Sequence, residues 1–186
     1  MADSDTPDPS ALPASVAEHE RAAAGTVARV AILTVSDTRT LAEDTSGDTI
    51  ARLLADARHE VVDRQIVTDD PASIDAQLHR WTSSEGLDAI ITTGGTGISP
   101  RDNTVDVVRR HVAKELPGFG EIFRRLSYDE IGPPAMLSAA FAGVTAPPRP
   151  MALFALPGSR AAVRLALSAL ILPILPHLLR ELRKGT

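Results

Sequence analysis

The segment Ile90-Ile91-Thr92-Thr93-Gly94-Gly95-Thr96-Gly97-Ile98-Ser99-Pro100-Arg101-Asp102 is the most informative stretch of this chain. A short apolar run ends at three glycines within four positions, and a carboxylate follows five residues after the last of them. Because glycine has no Cβ, successive main-chain N–H groups in such a turn can surround an anion. Asp102 adds an oxygen ligand of the kind that Mg²⁺ prefers. The segment therefore predicts a buried strand that leads into a phosphate-handling loop.

Strands and helices alternate on both sides of this segment. Near-continuous apolar runs predict buried strands, and apolar residues three or four positions apart predict helices. The predicted strands are 28–35, 60–67, 87–93, 141–145 and 151–156. The predicted helices are 46–57, 71–81, 103–112, 121–128 and 135–140, with breaks at 117–120 and 132–134. A last helical region begins at residue 159 and bends near Pro173 and Pro176. This order predicts an α/β fold, a three-layer α/β/α arrangement with a mostly parallel sheet.

Composition limits the function classes. The 186 residues predict a disordered or loosely attached tail over residues 1–25 and one domain over residues 26–186. A net charge of −5 argues against general nucleic-acid binding, and the absence of cysteine excludes disulfides, thiolate catalysis and cysteine-ligated zinc. We expect a cytoplasmic protein. The apolar run Leu165–Leu179 contains two prolines and is shorter than the roughly 20 residues of a membrane span, so we expect a buried helical region and no membrane partner.

Polar, small or acidic residues follow each of the four clearest strands. In open parallel sheets, ligands bind at the carboxyl ends of the strands. We therefore expect the residues after these strands to converge on one edge, which would be the functional site. They are Ser36 and Asp37, Asp69, the loop from Thr93 to Gly97, and Pro157-Gly158-Ser159.

Most of these features also have a purely structural interpretation. Asp102 and Asp69 could each cap the helix that follows, and the other exits could be ordinary turns. The glycine loop lacks the Lys-Ser/Thr ending of a Walker A loop and the spacing of G-x-G-x-x-G. Its three glycines favour a functional interpretation, because one glycine suffices for a turn. The pairs Arg109-Arg110 and Arg124-Arg125 are expected to face solvent or a second subunit.

With these residues in view, the chain resembles the molybdenum cofactor biosynthesis MoaB/Mog family, and within it the MoaB branch. The resemblance covers roughly residues 27–172. It is carried by Val35-Ser36-Asp37, Asp44-Thr45-Ser46-Gly47, Thr92–Gly97 with Asp102, Pro117-Gly118-Phe119-Gly120-Glu121, Phe123-Arg124-Arg125-Leu126-Ser127, Glu130-Ile131-Gly132 and Leu156-Pro157-Gly158-Ser159.

The resemblance implies a Mg²⁺-dependent enzyme that transfers AMP from ATP to molybdopterin and releases pyrophosphate. It implies that Asp102 and Asp69 are the acidic residues needed for transfer. We expect Asp102 to bind the Mg²⁺, with Asp69 assisting. The resemblance also implies a homo-oligomer, a trimer or a hexamer, with other proteins of the same pathway as candidate partners. It implies that the glycine loop (Thr93, Gly94, Gly95, Thr96 and Gly97) and Pro157, Gly158 and Ser159 bind the nucleotide and the pterin phosphate. We further expect Ser36, Asp37 and Ser159 to orient the pterin or the ribose, and Glu121 and Ser138 to be binding residues as well.

One position departs from the family pattern. Ser138 is followed by Ala139, where the family commonly has an arginine that can bind phosphate with two parallel hydrogen bonds. Three functions therefore stay open: adenylyl transfer, non-catalytic binding or carriage of molybdopterin, and hydrolysis of a nucleotide pyrophosphate on the same fold. Whether the finished cofactor holds molybdenum or tungsten also stays open.

Overall fold

A single mixed sheet organises the protein. The computed structural model describes residues 25–184, so the predicted tail lies outside the described residues except for its last one. The strands are β1 (Arg29–Val35), β2 (Glu60–Val67), β3 (Ala89–Thr93), β4 (Lys114–Glu115), β5 (Phe141–Val144) and β6 (Ala152–Leu156), in the spatial order β2-β1-β3-β6-β5-β4. Pairs among β2, β1, β3 and β6 are parallel, whereas β5 and β4 add antiparallel pairs at one side. The predicted mostly parallel α/β sheet is confirmed.

Strand β1 shows why both faces of the sheet are covered. Val30 and Ile32 belong to one buried cluster, whereas Ala31 and Leu33 belong to a second. All four side chains are fully buried. Because successive side chains of a strand point to opposite faces, an uninterrupted apolar strand needs a helical layer on each side.

Helices supply these two layers. They are α1 (Thr45–Asp56), α2 (Pro71–Thr82), α3 (Thr104–Arg110), α4 (Pro117–Ile131), α5 (Arg160–Leu165) and α6 (Leu172–Arg183), with a π-helical segment at Ala166–Ile171 and 3₁₀ helices at Leu41–Glu43 and Pro133–Leu137. The buried side chains of α2 and α3 join the cluster around Leu33, and those of α1, α4, α5 and α6 join the cluster around Ile32. The three-layer α/β/α architecture predicted from the sequence is confirmed.

Two local predictions differ from the structure, and one short strand lies where none was predicted. The tetrapeptide 117–120 does not break a helix, since Pro117 occupies the first turn of α4, where its missing N–H costs nothing. Gly120 is buried inside this helix, and a side chain there would clash, since a Cβ would lie 2.6 Å from the carbonyl oxygen of Ala140. The helix predicted over 135–140 is instead the 3₁₀ helix Pro133–Leu137. The two-residue strand Lys114–Glu115 has no apolar pattern and was not predicted.

The C-terminal helical region is longer than its apolar run indicated. Arg160–Arg183 forms 24 continuous helical residues, and by length and composition this helix could cross a membrane, so the length argument made from the sequence is wrong. A core helix of a soluble protein passes the same test, and this helix buries one face, including Val163, Leu167 and Ile171, in the core. The irregularity expected near Pro173 is the π-helical segment before it. The absence of a membrane partner stays a prediction.

Candidate functional site

The ends of four strands meet at one edge of the sheet. The register pairs Val35 with Val67, Thr34 with Thr93, and Thr93 with Leu156, so the parallel strands end level with one another. The strand order also reverses between β1 and β3, which opens a crevice at their carboxyl ends. The convergence expected from the sequence is therefore present.

The glycine loop has the backbone that only glycine adopts easily. Gly94 and Gly95 have φ angles of 100° and 59°, and a Cβ on Gly94 would clash with the carbonyl oxygen of Val35. The N–H of Gly94 already donates to a β6 carbonyl oxygen at 3.1 Å. Within residues 25–184, the N–H groups of Gly95, Thr96 and Gly97 donate to no protein atom. Three of the four predicted main-chain donors are thus available to an anion.

The loop after β6 packs directly against the glycine loop. A Cβ on Gly158 would lie 3.3 Å from the Cα of Gly94, a tight contact, so glycine allows the two loops to approach closely. Ser46 donates its hydroxyl to the Gly158 carbonyl oxygen at 2.8 Å, and Thr93 donates to the carbonyl oxygen of Pro157 at 3.0 Å. The predicted residue Thr93 therefore positions the second loop, since its hydroxyl hydrogen is used within the protein.

Two of the predicted residues, Ser36 and Ser159, form hydrogen bonds with the backbone two or three residues further along the chain. The Ser36 hydroxyl oxygen accepts from the N–H groups of Thr38 and Arg39, and the Ser159 hydroxyl oxygen accepts from the N–H of Ala162 at the start of α5. These bonds are those of a turn and a helix cap, as in the structural interpretation of the sequence. Both residues lie at the site edge and shape its loops.

An acidic cluster lies beside the glycine loop. Asp37 accepts from the N–H of Asp69 at 2.9 Å and from the guanidinium of Arg101 at 2.7 Å. Oδ1 of Asp69 is buried and has no hydrogen-bond partner among the described residues, and the same holds for Oγ1 of Thr104. Both oxygens face Gly95, where a Cβ would lie 3.1 Å from the Asp69 oxygen. Two unpartnered oxygens at one point are suited to bind a cation.

The raised pKa of Asp69 also favours a cation at this position. Burial raises the pKa of this carboxyl, and the negative charges of Asp102 and Asp37 raise it further, while Arg101 opposes them. No group of three or more His, Cys, Asp or Glu residues suited to a metal occurs within residues 25–184. Mg²⁺ commonly takes only one or two protein carboxylates and keeps water and phosphate oxygens as its other ligands. Asp69 and Asp102 therefore fit a Mg²⁺ that is shared with a phosphate-bearing substrate.

Helix capping does not explain Asp69 or Asp102. The cap of α2 is Asp70, whose carboxylate accepts from the N–H of Ser73. Asp102 precedes the α3 cap position, and its Oδ2 instead accepts from the N–H of Ser99 at 2.8 Å within the loop. The structural interpretation is therefore wrong for both carboxylates.

Two clefts open on either side of Asp102. The glycine-loop cleft has a volume of about 330 Å³ and the arginine cleft about 430 Å³. The glycine-loop cleft is lined by Gly94–Gly97, Asp102, Pro134, Leu137, Ser138, Pro157 and Gly158. The arginine cleft is lined by residues that include Gly97, Asp102, Arg109, Glu121, Arg124 and Ala139. Gly97 and Asp102 therefore form the boundary between the two.

Two arginines of this second cleft were not among the predicted site residues. Arg109 and Arg124 were expected to face solvent or another subunit. Arg109 is 51% exposed, as expected, whereas Arg124 is half-buried, and both line the arginine cleft. Arg109 is paired with Glu115 at 2.9 Å and lies over the ring of Phe141, 4.9 Å from its centroid. Its position four residues after the buried Val105 was the signal that could have placed it beside the core, whereas nothing in the sequence placed Arg124 there.

Known proteins share both the sequence and the fold. Residues 31–177 match the family model described as a probable molybdopterin binding domain. "Molybdenum cofactor biosynthesis protein B" from Halalkalibacterium halodurans is 47% identical over 171 residues, which covers 91% of this chain and 98% of that protein. A crystal structure of molybdenum cofactor biosynthesis protein B superimposes with a TM-score of 0.82 at 44% identity, covering 86% of this chain and 98% of that one. The tungsten cofactor synthesizing protein MoaB from Pyrococcus furiosus gives a TM-score of 0.77 at 37% identity, with coverages of 86% and 99%.

Proposed function

This chain belongs to the molybdenum cofactor biosynthesis MoaB/Mog family, and on that premise we propose that it is the enzyme that transfers AMP from ATP to molybdopterin. Its role in molybdenum cofactor biosynthesis follows from the family, and the reaction is our proposal. One observation carries it: two clefts of substrate size share the loop residues Gly97 and Asp102. Two substrates, one in each cleft, would meet at this boundary.

The reaction needs positioning more than acid–base chemistry. A phosphate oxygen of molybdopterin attacks the α-phosphorus of ATP, the bond from that phosphorus to the bridging oxygen breaks, and pyrophosphate leaves with the electron pair. The phosphate nucleophile is already ionised at neutral pH, so no strong base is required. Orientation of the two phosphates and neutralisation of their charge then supply the rate enhancement.

Named groups of this chain fit these tasks. The free N–H groups of Gly95, Thr96 and Gly97 would bind phosphate oxygens. Asp102 and Asp69 would hold Mg²⁺, which neutralises charge on the transferred phosphoryl group when it is bound. The Asp37 carboxylate accepts a hydrogen bond from the N–H of Asp69 and so holds the backbone there. Asp37 therefore acts as a positioning residue.

The remaining predicted contacts lie on the cleft walls. Ser138, Pro157 and Gly158 line the glycine-loop cleft, and Glu121 lines the arginine cleft. We propose that these four residues contact the pterin or the nucleotide when it is bound in the cleft that they line.

The experiment is a transfer assay. The full chain is incubated with molybdopterin, ATP and Mg²⁺, and pyrophosphate and adenylyl-molybdopterin are measured. In Asp102→Asn the remaining amide oxygen can still accept from the N–H of Ser99, so the loop should keep its shape. We expect turnover to fall by about 100-fold or more, as when one preorganised electrostatic group is removed.

Asp70→Asn is the matched control for this assay. Asp70 is an exposed cap at the same edge, and asparagine caps helices about as well, so stability and turnover should stay near those of the unsubstituted chain. Full turnover by Asp102→Asn would contradict the role proposed for Asp102.

Binding without catalysis is the second candidate function. Ala139 favours it, because this alanine lines the arginine cleft and offers no charged group to a phosphate there. A chain that binds molybdopterin but yields no pyrophosphate with ATP and Mg²⁺ would support this candidate. Release of AMP or pyrophosphate without any pterin would instead support the hydrolase that the sequence left open.

We also propose that the chain forms a homo-oligomer. Tyr128 and Ile131 at the end of α4, and Met136 and Leu137 in the following 3₁₀ helix, expose between 50% and 74% of their surface. Leu137 lines the glycine-loop cleft as well, so a subunit packed on this surface would adjoin the site. Sedimentation should give three or six times the chain mass of 19.7 kDa.

A further inference from the structure

Among the residues that the structure describes, Arg124 is the guanidinium of the arginine cleft without a carboxylate partner, and we infer that it binds a substrate phosphate. The inference rests on the proposed function, since it assigns a ligand group to a cleft of the same site. It adds a binding residue and the chemistry that this residue recognises.

The two arginines of the cleft differ in whether they form ion pairs with carboxylates. Arg109 is paired with Glu115 at 2.9 Å and with Asp106 at 3.8 Å. No ion pair within residues 25–184 involves Arg124, whose only hydrogen bond runs from Nη1 to the Ser138 carbonyl oxygen at 3.3 Å. A guanidinium has five N–H donors in a planar fork, so most donors of Arg124 are unused.

The position of Arg124 is set by its surroundings. Its two terminal nitrogens lie 3.0 and 3.1 Å from the point that a Cβ on Gly120 would occupy. Long side chains of a helix point back over the preceding turn, and the missing side chain at Gly120 leaves room for this one. The Ser138 carbonyl oxygen then holds the guanidinium at the cleft wall. A half-buried, preoriented group loses little conformational entropy when an anion binds.

The negative charges of the cleft do not cancel this cation. Asp106 and Glu115 are both engaged by Arg109, and Asp102 lies at the proposed Mg²⁺ position. Glu121 is exposed to solvent, where its charge is screened. An unpaired arginine that faces a cleft next to the transfer site suits a phosphate, which it can bind with two parallel hydrogen bonds.

Direct binding measurements test the inference without requiring turnover. Titration calorimetry gives the dissociation constants of molybdopterin and, separately, of ATP with Mg²⁺, so that its two arms distinguish the pterin phosphate from the nucleotide phosphates. Arg124→Ala should weaken one of these ligands at least tenfold. Arg124→Lys, which keeps the charge but not the fork, should weaken it less.

Two further variants make the test specific. Arg125→Ala is the matched control, because Arg125 is the next residue of the same helix, is 69% exposed and is paired with Asp129. Ala139→Arg, added to Arg124→Ala, should restore part of the lost affinity, because residue 139 lines the same cleft and follows the residue whose carbonyl now holds Arg124.

The outcomes separate the inference from the function on which it rests. If the unsubstituted chain binds both ligands and Arg124→Ala changes neither constant by more than twofold, the inference is overturned while the proposed function stands. An equal loss in Arg125→Ala would also overturn it, since a general field effect would then suffice. If the unsubstituted chain binds neither ligand, both proposals fall.

Discussion

Replacing Asp69 by asparagine should raise the stability of the metal-free protein and reduce the further stabilisation that Mg²⁺ provides. Oδ1 of Asp69 is buried without a hydrogen-bond partner among the described residues, and burial together with Asp102 and Asp37 raises the pKa of this carboxyl. In the metal-free protein its negative charge is therefore unfavourable at neutral pH. An amide keeps the shape of the side chain and removes the charge.

The expected size follows from these contacts. Asparagine leaves a polar atom at the same buried position, so the gain comes only from removing a charge that burial, Asp102 and Asp37 disfavour. Relief of repulsion between nearby like charges at a partly exposed site should raise metal-free stability by about 1 kcal/mol. For a chain of this length that corresponds to about 2–4 °C in the midpoint of thermal unfolding. The direction in which pH changes the free energy of unfolding also follows from the pKa of Asp69. Because the pKa of Asp69 is raised in the folded state, the penalty is present at neutral pH and disappears as the pH falls through that raised value.

Mg²⁺ should stabilise the variant less than it stabilises the unsubstituted chain. At a concentration 100-fold above its dissociation constant, a ligand stabilises the folded state by about 2.7 kcal/mol. If Asp69→Asn weakens Mg²⁺ tenfold, the same concentration yields about 1.4 kcal/mol. The variant should thus start more stable than the unsubstituted chain and gain about half as much from the ion.

The assay is urea unfolding at pH 7 with EDTA and with Mg²⁺, repeated for Asp70→Asn. Asp70 is the neighbouring exposed cap, and its substitution should alter neither value appreciably, since asparagine also caps helices. The reasoning is refuted if Asp69→Asn destabilises the metal-free protein, or if its gain from Mg²⁺ equals that of the unsubstituted chain.

Three further predictions concern stability and the loop. Asp44→Asn should cost about 3 kcal/mol in urea unfolding because it removes the fully buried carboxylate from its pair with Arg64, whose side chain is 21% exposed, whereas Asp48→Asn, the 59% exposed partner of the same arginine, should cost under about 1 kcal/mol; equal costs would contradict this. Gly94→Ala should abolish ATP binding in calorimetry, since its Cβ would clash with β1 and its φ is 100°, whereas Gly118→Ala, with open space around it, should bind normally; normal binding by both would disprove the loop argument. Because burial lowers the pKa of His59, the unfolded chain binds its proton more readily, so stability should decrease as the pH falls below 6.5, and His59→Asn should remove that slope between pH 7.5 and 5.5; an unchanged slope would show that another group causes it.

The elements that the sequence predicted well are those with a local cause. The apolar run of β1, the turn residues Asp70-Pro71 before α2 and the glycines after β3 each determine their own backbone over a few residues. The convergence of the strand exits could also be predicted, because parallel strands joined by helices must present their carboxyl ends at the same edge. Position 120 shows the limit: a glycine that usually ends a helix lies inside one, because a backbone carbonyl 20 residues further along the chain passes next to it.

The sequence alone therefore determined the α/β layers, the glycine loop and the acidic residues placed beside it, since periodicity and turn chemistry depend on near neighbours in the chain. Only the tertiary structure decided which side chains meet. Asp37 holds Asp69 across 32 residues. Arg124 faces a cleft shared with Asp102 because its guanidinium lies over Gly120 and donates to the Ser138 carbonyl oxygen. Such contacts depend on how whole elements pack, and packing is set by the summed shapes of both core clusters and not by any short stretch of sequence.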